Sequence, residues 1–136
     1  MKKILLDTNA YSNFLRGDEN VLTALSDASI VYMSVFVLGE LYAGFKAGTK
    51  DSWNRGLLKN FLKKPTVTIL DATIETSDIF GEIKSSLRKT GNPIPINDLW
   101  IASHCIETGS LLITYDAHFN AIPGLRLWSF PENNGL

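Results

Sequence analysis

Lys3-Ile4-Leu5-Leu6-Asp7-Thr8-Asn9, residues 3–9, passes in one step from an apolar run to three short polar side chains. Residues 3–6 read as a strand, apolar enough to be central in a sheet, and Asp7-Thr8-Asn9 as the cap of the helix that follows. The same kind of short run recurs at 30–33, at 66–70 with the β-branched Val67 and Ile69, and at 111–114. Residues 125–128 are expected to add an edge strand. Longer stretches with helical periodicity separate these runs, and that alternation predicts parallel strands joined by crossover helices, hence the α/β class.

Ser34 is a plausible N-cap for a helix reaching about residue 46, and Asp51 for another ending near residue 64, before Pro65. Trp53, Leu57, Phe61 and Leu62 share one face of the second, and Arg55, Lys59 and Lys63 another at i, i+4, i+8. Residues 73–90 carry Ile79, Phe80, Ile83 and Leu87 at helical spacing and stop at Gly91-Asn92-Pro93. Asn97 opens a last long helix through residue 108, ended by Gly109. No repeat or linker interrupts the chain. A single domain over 1–130 is expected, with 131–136 as a frayed tail.

Length and composition agree. The 136 residues suit one domain, and 45% hydrophobic with 20% charged residues describes a globular protein rather than a disordered one. A net charge of -1 argues against a non-specific polyanion binder. It leaves room for a nuclease, because bound divalent ions reverse the field inside a carboxylate pocket. Cys105, the one cysteine, has no internal disulfide partner. Ile4-Leu5-Leu6 is too short for the core of a signal peptide, and no apolar stretch nears the roughly 20 residues that span a bilayer. A cytoplasmic protein without membrane attachment is expected.

Four acids stand out, each with a duller reading beside the functional one. Asp7 ends the first strand, where ligands of open parallel sheets bind, yet it also suits a helix cap. Glu40 has Phe36, Val37, Ala43 and Gly44 as its helical neighbours. Its carboxylate therefore aims at protein or a cleft rather than lying on a polar stripe, unless this is a partly exposed helix edge. Asp98 falls in a helix's first turn, a position that the helix dipole favours whatever the function. Asp116 follows the strand at 111–114 much as Asp7 follows the first, and it too suits a cap. Carboxylates that converged without basic partners would repel one another, and a hard cation with oxygen ligands relieves that repulsion. Mg2+ or Mn2+ fits better than zinc, since His104, Cys105 and His118 have no zinc-motif spacing and read as structural.

Taken together, Leu5-Leu6-Asp7-Thr8-Asn9, Leu38-Gly39-Glu40-Leu41 with Gly44, Asn97-Asp98-Leu99-Trp100-Ile101-Ala102, and Leu112-Ile113-Thr114 leading to Asp116 and Phe119 resemble the PIN-domain ribonucleases, most closely the VapC-type toxins of toxin–antitoxin pairs. The resemblance spans nearly the whole chain. It implies a three-layer PIN-like fold, a central parallel sheet of about four or five strands with helices on both faces. It assigns Asp7, Glu40, Asp98 and Asp116 to catalysis and to a site for Mg2+ or Mn2+. Thr8 and Asn9 would order the first acid, and Thr114 would support the site by hydrogen bonding. Tyr115 departs from the Asn or Arg that the family often places there, which touches substrate contacts rather than the metal site.

The implied reaction is hydrolysis of an RNA phosphodiester that leaves a 5′-phosphate and a 3′-hydroxyl. Also implied are a homodimer and a cognate VapB-type antitoxin that blocks the cleft. Arg55, Lys59 and Lys63 belong to the densest basic stretch and could track RNA phosphates, the alternative being a solvated helix face. Phe36, Tyr42, Phe45 and Trp53 offer aromatic surface for the antitoxin, the alternative being ordinary core packing. A phosphatase with an aspartate nucleophile would need a second acid two residues after Asp7, where Asn9 stands. A metal-dependent DNase and a degenerate, non-catalytic PIN scaffold remain as rivals; the four filled acidic positions favour an active enzyme.

Overall fold

The computed structural model describes residues 2–130; the expected tail at 131–136 lies outside the described residues. Four parallel strands form one sheet: β1 (Lys3–Leu6), β2 (Ile30–Ser34), β3 (Val67–Leu70) and β4 (Leu111–Ile113), in the order β3-β2-β1-β4. Register aligns Ile4 with Val31 on one side and Leu111 on the other, and Met33 with Ile69. Ile4, Leu5 and Leu6 have no exposed surface, as expected of a strand covered on both faces.

Two helices, α1 (Thr8–Leu15) and α2 (Glu19–Asp27), link β1 to β2; α3 (Val35–Ala47) and α4 (Asp51–Leu62) link β2 to β3. Between β3 and β4 lie α5 (Ile74–Thr90) and α6 (Ile96–Thr108). The first two crossovers step one way across the sheet and the third steps back past β1. Right-handed connection therefore sets α1–α4 on one face and α5–α6 on the other. Strand order reverses between β1 and β4, so a crevice opens at their carboxyl ends.

Several local expectations are corrected. The stretch at 125–128 makes only an isolated bridge, Leu112 with Leu127, held by Leu112 N–H to Arg126 O (2.8 Å) and Trp128 N–H to Leu112 O (3.1 Å). Helix follows β1 in two pieces, because Gly17 takes φ +84° and Asp18 then starts α2 by accepting from Val21 N–H. Asp51 lies inside the first turn of α4 rather than capping it. Trp53 does not join the apolar face of that helix: it is 68% exposed, while Leu58 and Phe61 are buried. Among the described residues no helix is long and apolar enough to cross a membrane.

Candidate active site

A cavity of about 180 Å³ at the β1/β4 crevice is lined by Asp7, Thr8, Asn9, Glu40, Asp98, Ile101, Asp116 and Phe119. The four singled-out acids thus reach one space from four different elements. Asp7 caps α1 and Asp116 caps the 3-10 turn after β4, so both acids have a structural bond as well as a place in the cavity.

Asp7 is 6% exposed. Its Oδ1 accepts from Ala10 N–H (2.7 Å) and its Oδ2 from the Thr114 hydroxyl (2.5 Å). The same Thr114 oxygen accepts from Asp116 N–H at 3.0 Å, so one side chain ties the acid after β1 to the backbone of the acid after β4. Thr8 bonds a different acid from the one expected: its hydroxyl donates to Glu40 Oε1 at 2.5 Å. Asn9 is exposed and lines the cavity. Tyr115 turns elsewhere, donating to the Asp18 carboxylate at 2.9 Å.

Burial raises the pKa of Asp7; the Thr114 and Ala10 bonds oppose this, and the charges of Asp98 and Asp116 add to it. Asp98 is raised by burial as well, with His118 opposing and Glu40 and Asp116 adding. The acids therefore feel one another. An all-oxygen set under mutual repulsion suits a hard divalent cation such as Mg2+ or Mn2+.

His118, grouped with His104 and Cys105 as structural on sequence grounds, lies within this constellation. Its Nε2 is 2.7 Å from Asp98 Oδ2 and its Nδ1 is 2.8 Å from Asp116 Oδ1. The Nε2 contact is close in distance but does not form an aligned hydrogen bond. Donor atoms of Asp98, Asp116 and His118 all lie within 4.8 Å of one another. The local signal was Asp116-x-His118, a histidine two residues past a capping acid. His104 and Cys105 are buried away from the cavity; the Cys105 thiol donates to Ser110 O at 3.1 Å, and burial pushes it up to about 11.

The basic candidates, Arg55 and Lys59 on α4 and Lys63 at its C-cap, do not line the acidic cavity. Arg55 is held by Asp51 at 2.8 Å and lies over the Tyr42 ring at 4.6 Å, while Lys59 and Lys63 are exposed. Of the aromatic candidates, Trp53 projects into solvent. Tyr42 and Phe45 are half-buried and edge-on at 6.1 Å, and Phe36 is stacked on Trp100.

The family model described as "PIN domain" matches residues 4–125. The chain is 33% identical over 128 residues to "Ribonuclease VapC2" of Rickettsia felis, covering 90% of this chain and 94% of that protein. It is 31% identical over 129 residues to "Ribonuclease VapC2" of Haemophilus influenzae, covering 93% and 96%. Among solved structures, VapBC2 of Rickettsia felis bound to a promoter DNA fragment superposes with a TM-score of 0.82 at 28% identity, over 95% of this chain and 99% of that one.

Proposed function

This chain belongs to the PIN-domain family, and from that membership we propose that it is the toxin of a VapBC-type pair, an endoribonuclease whose RNA cleavage depends on a divalent metal. The relatives named ribonuclease VapC and the VapBC complex structure support an RNA substrate and a VapB-type antitoxin partner. The observation that carries the metal-dependent part is the convergence of Asp7, Glu40, Asp98 and Asp116 on one cavity.

Those four carboxylates would hold Mg2+ or Mn2+, with His118 beside Asp98 and Asp116. When bound, such a cation supplies Lewis acidity toward phosphate oxygens and activates water near neutral pH. The chain's own residues do the positioning. Thr114 and Ala10 N–H fix both oxygens of Asp7, so that carboxylate presents one orientation to the cavity. Thr8 does the same for one oxygen of Glu40 and leaves the other free. Ile101 and Phe119, both buried, are the apolar members of the lining. The lining offers no basic side chain, so a polyanionic RNA would approach the acids only with metal present.

Homodimer formation and docking of the antitoxin on Phe36, Tyr42, Phe45 and Trp53 belong to the same proposal, as does phosphate contact by Arg55, Lys59 and Lys63. Trp53 is the most exposed of the aromatic set. The deciding experiment is end-mapping of cellular RNA after brief expression of the protein, with Asp98→Asn as control. New 5′-phosphate ends are expected with the wild type, and at least a hundredfold fewer with the variant. Equal cleavage by Asp98→Asn rejects the assigned site.

A further inference from the structure

The two helices that carry Glu40 and Asp98 meet around Phe36. Phe36 lies one turn before Glu40 on α3, and at i, i+4 spacing the two share a helix face. Three residues of α6, Asn97, Trp100 and His104, stand at i, i+3, i+7 on one stripe, and all three engage Phe36 or its cap. Asn97 Nδ2 donates to Phe36 O at 3.4 Å. Within the helix that carbonyl already accepts from Glu40 N–H. The residue preceding Asp98 and the backbone of Glu40 thus share one oxygen.

Trp100 stacks on the Phe36 ring at 5.2 Å and 17° between planes, and is itself stacked on Phe80 of α5 at 3.9 Å and 18°. His104 packs 5.5 Å from Phe36 and holds the start of α3 through Ser34, with Nδ1 2.8 Å from Ser34 Oγ. Its Nε2 lies 3.0 Å from Asp71 O, which can only accept, so the proton sits on Nε2 and Ser34 donates to Nδ1. The same Ser34 oxygen accepts from Phe36 N–H at 3.1 Å. Amide, carbonyl and ring of Phe36 are therefore each held directly or through Ser34 by α6, across the edge of the sheet that separates the two helical layers.

We propose that Asn97, Trp100 and His104 are positioning residues that lock α6 onto Phe36 and thereby fix Asp98 against Glu40 at the separation a shared divalent cation requires. This rests on the proposed metal site. None of the three lines the acidic cavity, so their effect on metal would be transmitted through α3 and α6 rather than by ligation. Binding sites of this kind lose affinity when ligands are misplaced by fractions of an ångström, because supporting contacts set ligand geometry.

The test is Mn2+ affinity of the metal-free protein, measured by calorimetry alongside its melting temperature without metal. Asn97→Ala, a small truncation at a half-buried position, is expected to weaken Mn2+ binding about tenfold. Trp100→Leu should do the same, and Trp100→Phe, which keeps a ring to stack, should restore most of the affinity. Leu87→Ala in α5 is the control that lowers melting temperature while sparing Mn2+ affinity. Wild-type affinity in Asn97→Ala, or Trp100→Leu and Trp100→Phe following melting temperature alone as the control does, overturns the proposal. Absence of Mn2+ binding in the wild type would instead remove the metal site itself, and the two failures are distinguished by Asp98→Asn, which must abolish binding if the site exists.

Discussion

Asp7 is bonded by two groups and repelled by two others, and the balance has a measurable sign. Its folded pKa is raised above the ordinary 3.8, mainly by burial. The folded chain thus binds that proton more readily than the unfolded chain does. The resulting penalty is fully present at neutral pH and is relieved as pH falls through the folded value toward 3.8. Asp7→Asn deletes this titration while leaving those of Asp98 and His104 in place. Melting of the metal-free proteins should therefore show the wild type gaining stability relative to Asp7→Asn between pH 7 and 4; a difference independent of pH contradicts the shift. Thr114→Val probes the other side of the balance. It preserves shape but removes the donor to Asp7 Oδ2 and the acceptor for Asp116 N–H. A loss of about 1.5–3 kcal/mol in urea unfolding is expected, the range for a hydrogen bond to a charged group. No measurable loss would mean that the Asp7 carboxylate is ordered by something other than this hydroxyl.

Helix α3 is held at its start by a cap with two duties. Ser34 Oγ accepts from Phe36 N–H and donates to a histidine that burial keeps neutral. Ser34→Ala should cost about 2–3 kcal/mol, from a lost cap and a buried ring nitrogen left without a partner. A loss below about 0.5 kcal/mol in chemical denaturation would show that water replaces the hydroxyl. At this scale the legibility of the sequence divides cleanly. The strands at 3–6 and 30–33 could be read because both sit in the middle of the sheet, where burial on both faces enforces apolar runs. Glu40 was half legible: it lines the cavity, as an acid among apolar helical neighbours suggested, but it is exposed, on the helix edge that was the alternative reading. Ser34 could be read as a cap because the bond is local, and it does cap its helix. The stretch at 125–128 was misleading: three-residue β4 offers little ladder to extend, so pairing stops at one bridge. His118 offered only the spacing Asp116-x-His118 to read, since its other partner, Asp98, is twenty positions away and on another element. Arg55 was half legible: opposite charges at Asp51 and Arg55 have the i, i+4 spacing that ties a cation to its own helix.

Over the whole molecule the acids depend on topology. Asp7 and Asp116 are neighbours only because β4 returns past β2 to pair with β1, and Glu40 and Asp98 reach the same cavity from opposite faces because the β2–β3 crossover and the returning β3–β4 crossover lie on opposite sides of the sheet. A pocket assembled this way brings negative charge together where strand order reverses, and the proposed divalent cation would relieve its repulsion. The most direct test is a crystal of the protein soaked in Mn2+ and examined by anomalous diffraction. A peak is expected in the cavity at about 2.0–2.3 Å from carboxylate oxygens of at least three among Asp7, Glu40, Asp98 and Asp116. A map with no peak there at millimolar Mn2+, or with manganese bound only at other carboxylates, contradicts the account.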